Sequence, residues 1–385
     1  MKKIWRYALF RRLRKLIFFA LLSTHLYLHG SQSAWLDSRE LFRSGMDGYN
    51  NIRIPALCVT TQGTLLAFAE GREGGDAGDI DLILRRSEDG GESWSQVKVV
   101  WDDGANTCGN PSPVVDRETG IIWLFMTWNL GSDGEREIMN GESEHPRLVW
   151  LSRSEDDGRT WSRPKEMPHL RELDWRWYAT GPCSGIQLER GLRKRRLVVP
   201  ANHSVATKGE AEASAYRSHV IYSDDHGETW ELGGIQEPLT NESSVAELAD
   251  GRVMQNMRSY HGKGNRAVAV SEDGGQAFGE VYLDDGLESP VCQGHLLRYS
   301  WPEEGRSRLL FSSPAGSERS NLTIRTSYDE GRSWSMGTLI YEGPSAYSNL
   351  ARLPNGRVGL LAEVGVKNPY ESIVLFRFDV PERVE

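Results

Sequence analysis

Four cysteines are few for a chain of 385 residues, and Cys58, Cys108, Cys183 and Cys292 stand far apart, with no Cys-x-x-Cys pair and no His-rich partner. The scarcity excludes the usual zinc spacings and leaves two possibilities open, one or two disulfides or buried free thiols. No Pro/Ser/Gly-rich tract and no long run of one charge divides the chain, so one folded domain is expected. Long amphipathic helical patterns are scarce. The one apolar stretch near the start, LIFFALLSTHLYLHG, is short and interrupted by His25 and His29, which makes it a poor membrane span.

That stretch has a different context. It follows MKKIWRYALFRRLRK, with seven Lys/Arg and no acid, and precedes SQSA. A basic segment, an apolar segment and small residues in that order resemble a secretory signal cleaved around Ser33 or Ala34. An uncleaved membrane anchor and a misplaced start codon are the alternatives. The chain is therefore divided into a leader over 1–34 and a folded body over 35–385, with export to the periplasm or the exterior. Removing the leader takes seven positive charges from a net charge of −9 and leaves about −16. So acidic a body excludes nucleic acid and anionic lipid as partners. An anionic ligand would need a local cluster of Arg.

What is abundant is glycine and aromatic side chains, with 40 Gly, 13 Trp and 13 Tyr. They fall into a repeat. Ser-x-Asp-x-Gly-x-Ser/Thr-Trp, or a close variant, occurs at Ser87–Trp94, Ser154–Trp161, Ser223–Trp230, Ser271–Phe278 and Ser327–Trp334. Each copy follows an apolar run that reads as a β-strand entering a tight turn. Asp can bond backbone N–H groups there, Gly supplies the positive φ, and the aromatic ring can pack back between sheets. Spacings of 67, 69, 48 and 56 residues suit one four-stranded unit per copy and predict an all-β propeller or array.

A second motif, Tyr49-Asn-Asn-Ile-Arg53-Ile-Pro55, precedes the first box. An Arg-Ile-Pro segment followed by these Asp boxes resembles the sialidase (neuraminidase) family of six-bladed β-propellers, over essentially residues 45–380. The resemblance implies an exo-α-sialidase, a glycoside hydrolase that removes terminal sialic acid from sialylated glycans. It also implies a site. A carboxylate on the anomeric carbon calls for arginines, whose planar fork holds it bidentately. The matching positions are Arg53, Arg258 at the end of GRVMQNMR, and Arg319 in SERSNLTIRTSYDEG. Glu363 matches the family's counter-charge to the first arginine.

The catalytic positions also come from the resemblance. Sialidases use a Tyr nucleophile, and Tyr347 in GPSAYSNL matches it. A neutral phenol avoids the repulsion that a carboxylate would meet at a centre already bearing one, but it needs a base nearby. Glu242 matches that base, with Glu247 as its rival. The general acid is an Asp of the segment EGREGGDAGDIDLILRR, where Asp76 is favoured over Asp79 and Asp81. Arg72, Tyr178 and the NPSPV segment at Asn110 are expected to line the pocket, while Trp175 and Trp177 suit either sugar stacking or the core. His203 and His226 read as structural or exposed. No cofactor, required metal or obligate protein partner is expected. Other readings are a non-catalytic glycan-binding propeller, and an enzyme that acts on a related acidic sugar or transfers sialic acid.

Overall fold

Strand follows strand through nearly all of the chain that the structure, a computed structural model, describes, residues 35–206 and 212–380. The expected leader, 1–34, lies outside the described residues. Among them the only α-helix is the six-residue Glu135–Asn140. Antiparallel pairing groups the described strands into six meanders. The first comprises Asn51–Val59, Leu65–Arg72, Ile80–Ser87 and Lys98–Trp101, and the second Thr107–Val115, Ile122–Asn129, Leu148–Ser154 and Lys165–Glu166. The third is Trp175–Thr180, Leu197–Val205, Tyr216–Ser223 and Glu231–Ile235, and the fourth is Thr240–Glu247, Val253–Ser259, Asn265–Ser271 and Tyr282–Glu288.

The long strand Thr338–Arg352 serves two meanders. Its leading part pairs with Ser320–Ser327 and completes a fifth meander with His295–Ser300 and Arg308–Pro314; its trailing part pairs with Val358–Val364. The sixth meander continues through Ser372–Phe378 and ends on the first strand of the fold, Leu36–Arg43, which pairs from Leu36↔Phe378 to Arg43↔Ser372. Asp37 secures this closure by ion pairs to Arg357 at 2.6 Å and Arg377 at 2.7 Å. Neighbouring meanders touch in sequence around a ring, which closes where Asn51–Val59 meets Thr338–Arg352. There Asn349 donates to the Leu57 carbonyl at 3.3 Å. The all-β propeller expected from the repeat is the architecture found.

Each Asp box joins the third strand of a meander to its fourth. In the first box Asp89 accepts from the Ser87 hydroxyl at 2.8 Å and the Ser93 N–H at 2.9 Å, while the Gly91 N–H donates to Ser87 Oγ at 2.8 Å. The other boxes repeat this network, except that Ala277 in the fourth has no hydroxyl to give to Asp273. The turn needs positive φ at two successive residues, as at His226 (62°) and Gly227 (93°). Only the second is Gly in every copy. The box aromatics pack toward the preceding meander: Trp161 lies edge-on to Phe68 at 5.7 Å and Trp230 edge-on to Phe125 at 4.6 Å. Burial differs between them, for Trp230 is fully buried and Trp161 only partly.

Strand direction then decides where chemistry can sit. First strands start, and second strands end, at one end of the ring; the boxes follow third strands and so mark the opposite end. Strands such as Leu65–Arg72 are buried along their whole length, because both faces are covered by neighbouring meanders. Polar side chains concentrate at the strand ends. All four cysteines are buried free thiols, which resolves the open choice against disulfides.

Candidate active site

At the end of the ring away from the boxes, a cavity of about 580 Å³ opens on the axis. Its polar residues come from the starts of first strands and the ends of second strands. Arg53 is the third residue of Asn51–Val59, and Glu242 the third of Thr240–Glu247. Arg72 ends Leu65–Arg72, and Arg258 is next to last in Val253–Ser259. Arg319 immediately precedes Ser320–Ser327. Residues up to 317 positions apart in sequence therefore converge, as Arg53 and Tyr370 do.

Arg53 is gripped bidentately by Glu363, with Nε to Oε1 and Nη2 to Oε2 both at 3.1 Å. Burial works against the Arg53 charge, and Glu363 more than restores it. Glu363 also accepts the Ile54 N–H at 2.9 Å. Ile54 has φ of 62°, a left-handed conformation that a β-branched side chain adopts only where its surroundings enforce it. The Arg-Ile-Pro motif thus marks a strained bulge that aims Arg53 across the cavity. Its guanidinium lies 4.1 Å from the centroid of the Tyr370 ring and 5.3 Å from that of Tyr347.

Tyr347 stands at the centre. Its hydroxyl donates to Glu242 Oε1 at 2.5 Å and accepts from Arg258 Nη1 at 3.2 Å, and the same Arg258 nitrogen donates to Glu242 Oε2 at 2.8 Å. Burial and the adjacent Glu242 charge hold the phenol pKa far above its usual value. The resting phenol is thus neutral, with an acceptor already in place for its proton. Arg319 completes the cationic trio, donating to the Tyr370 hydroxyl at 2.9 Å and the Val291 carbonyl at 3.0 Å.

Asp76 sits at the mouth with its side chain 75% exposed. Arg72 Nη1 donates to it at 2.5 Å and Arg53 Nη1 at 3.5 Å. Desolvation raises the Asp76 pKa, but Arg72 and Arg53 outweigh it, and the net direction is down. Arg72 is held from behind by Glu70, which also accepts the Asn110 N–H at 2.6 Å. Of the two neighbouring candidates, Asp81 accepts the Tyr49 hydroxyl at 2.6 Å and Asp79 lies in the loop; neither lines the cavity. Glu247, the rival to Glu242, lies at the far end of its strand, where it accepts the Glu189 and Arg190 N–H groups.

One expected pocket residue is misplaced. Tyr178 is fully buried in the core between the second and third meanders, its hydroxyl 2.8 Å from His219 Nε2. A bulge between Trp175 and Tyr178 breaks the alternation and turns both rings into the core. Trp177 lines the cavity instead, whereas Trp175 stacks on His203 at 3.4 Å. Sequence reasoning also missed Tyr370, Glu70, Arg147 and Tyr260. Glu70 and Arg147 carry no local pattern. Tyr370 had a faint signal, an aromatic in the loop between the last two strands. Among the described residues no group of three or more His, Cys, Asp or Glu is placed to hold a metal.

Comparison with known proteins agrees with this geometry. Residues 63–360 match the family model described as a BNR repeat-like domain. The chain is 35% identical to a sialidase of Micromonospora viridifaciens over 88% of its own length, and spans about half, 53%, of that protein. It is 30% identical to an exo-alpha-sialidase of Aspergillus fumigatus, covering 91% of this chain and 88% of the relative. Among solved structures, the Hadza microbial sialidase Hz136 superposes with a TM-score of 0.78 at 30% identity, over 89% of this chain and 68% of that one.

Proposed function

The chain belongs to the sialidase family of BNR-repeat proteins, and we propose that it is an exo-α-sialidase that hydrolyses terminal α-ketosidic sialic acids with retention. The observation that carries this reading is the Tyr347–Glu242–Arg258 cluster facing Arg53 and Arg319 across one cavity. Relatives named sialidases support the substrate class.

In this mechanism Arg53, Arg258 and Arg319 hold the substrate carboxylate, which places the anomeric carbon over Tyr347. The Tyr347 oxygen forms a bond to that carbon as its proton passes to Glu242. Asp76 gives its proton to the aglycone oxygen as the glycosidic bond breaks. Water then attacks the anomeric carbon from the vacated side and surrenders a proton to Asp76; the Tyr347 oxygen leaves and recovers its proton from Glu242. Two inversions give net retention. Because Arg72 and Arg53 hold Asp76 ionised in the free protein, the active protonation state is favoured by acid pH.

Sialylated glycoproteins, glycolipids and oligosaccharides are the proposed substrates. The basic and apolar segments within 1–34 support export, which N-terminal sequencing of the secreted protein tests. The decisive assay is release of a fluorescent aglycone from an α-N-acylneuraminide at pH 4–8, beside Tyr347→Phe, with NMR of the first-released anomer. Turnover that the variant lacks, with α-anomer first, supports the mechanism. Binding without turnover by folded protein would establish a glycan-binding propeller instead.

A further inference from the structure

Tyr347 and Glu242 stand on different meanders, and each sits where its own ladder lapses. From Ser345 to Ser348 the strand Thr338–Arg352 takes three steps while its partner takes two, from Val364 to Ala362. From Thr240 to Ser243 the strand Thr240–Glu247 again takes three steps against two, from Ser259 to Met257. A bulge of this kind frees the backbone from its ladder and re-aims a side chain. Bonds other than the ladder must then fix the Tyr347 hydroxyl against the Glu242 carboxylate.

One side chain bridges the two strands from inside the ring. Gln293, two residues before His295–Ser300 of the fifth meander, is fully buried and does not line the cavity. Its amide oxygen accepts the Ser348 N–H at 2.9 Å and its Nε2 donates to the Ser348 carbonyl at 3.0 Å, so it pairs with the residue after Tyr347 as the peptide of a neighbouring strand would. The same Nε2 donates to the Pro182 carbonyl at 3.1 Å, just past Trp175–Thr180. One residue earlier, the Gly181 carbonyl accepts the N–H of Ser243, the residue after Glu242, at 3.3 Å. Buried bonds thus lead from the residue after Tyr347, through Gln293 and the Gly181–Pro182 segment, to the residue after Glu242.

We propose, on the basis of the hydrolase mechanism above, that Gln293 is a positioning residue that sets the Tyr347 hydroxyl against Glu242 through this bridge. Attack by the Tyr347 oxygen and transfer of its proton need both distances held together, so a small displacement lowers kcat. Binding of the substrate carboxylate depends on other bonds. Glu363 holds Arg53. Arg319 donates to the Val291 carbonyl, and the next residue is anchored independently, the Cys292 carbonyl accepting from the buried Arg266 at 2.6 Å. Loss of the Gln293 amide therefore moves the phenol and leaves the arginines in place.

The test uses the full chain with Gln293→Met, which keeps the length of the side chain and removes its polar atoms. On a fluorogenic α-N-acetylneuraminide kcat should fall about 10–100-fold, while KM and inhibition by the 2,3-didehydro acid stay within about threefold of wild type. In protein labelled at tyrosine 13Cζ, the Tyr347 resonance, identified by its loss in Tyr347→Phe, should shift in Gln293→Met without any ligand. Gln293→Glu at pH 5 keeps the acceptor for the Ser348 N–H and, when protonated, one donor, and should lose less. A merely structural role would lower stability and leave kcat and the resonance of the folded variant as in wild type, which overturns the inference; so does a loss of inhibitor binding as large as the loss of kcat. If Gln293→Met does not fold, Gln293→Glu decides by the same two readings. A folded wild type that does not turn over the ketoside would count against the hydrolase reading, while the Tyr347 resonance still decides whether Gln293 holds the phenol.

Discussion

Glu363 accepts the backbone N–H of Tyr347 at 3.2 Å while it grips the Arg53 guanidinium with both oxygens. One fully buried carboxylate thus fixes Arg53 relative to Tyr347. Glu363→Gln keeps the size and removes the charge, which leaves Arg53 a buried cation with only the exposed Asp76, at 3.5 Å, to offset it. We expect a loss of about 3 kcal/mol in stability, with both kcat and KM impaired. Urea unfolding and steady-state kinetics on the same preparation check this; a variant with native stability and a raised KM alone would confine Glu363 to substrate binding.

Tyr347→Phe removes the oxygen that bonds Glu242 and Arg258. Turnover should fall by about 10³-fold or more with the circular dichroism spectrum unchanged. Glu242→Gln leaves the phenol without its proton acceptor and should cost about 10²–10⁴-fold. The double variant should be little worse than Tyr347→Phe, since the two residues act as one unit. Additive losses would show that Glu242 works elsewhere.

In the proposed mechanism Arg72 sets the pH range through Asp76. A general acid must be protonated, so kcat/KM falls as pH rises through the free-enzyme pKa of Asp76. Arg72 lowers that pKa. In Arg72→Gln the pKa should rise, and the alkaline limb of the kcat/KM profile should move to higher pH, even though the variant binds substrate less well. A limb that stays in place would remove Asp76 from the acid role.

The box aromatics should separate stability from catalysis. Trp230→Ala empties a buried site against Trp123 and Phe125 and should cost about 3–5 kcal/mol. Trp161→Ala, in a partly exposed site, should cost about 2 kcal/mol. Both lie at the end of the ring away from the cavity, so kcat at 25 °C should be retained. Thermal unfolding beside activity checks the order, and lost activity with an intact melting curve would overturn the structural role.

How much of this was legible beforehand depended on the range of the interactions. Each Asp box is closed by bonds within seven residues of its own sequence, so turn chemistry alone revealed the repeat and the strand that enters each turn. Arg53, Arg258, Arg319, Glu242 and Tyr347, which line one cavity, were legible because they stand in motifs that resemble a known family. Tyr178 was misjudged because a bulge shifts the side-chain phase by one residue, and alternation cannot register that. Arg147 escaped notice for another reason: it lies against Trp177, on a different meander, and no sequence pattern displays that contact.

The pairing of Leu36–Arg43 with Ser372–Phe378 governs how the protein reaches its native state. The ends of that ladder are the two most distant strands in the described chain, so its hydrogen bonds cannot form until Ser372–Phe378 has been made. Until then the sixth meander presents an open sheet edge, a template for the wrong partner. Such long-range pairing makes for slow folding, and the nascent chain must wait with five meanders built and the ring unsealed.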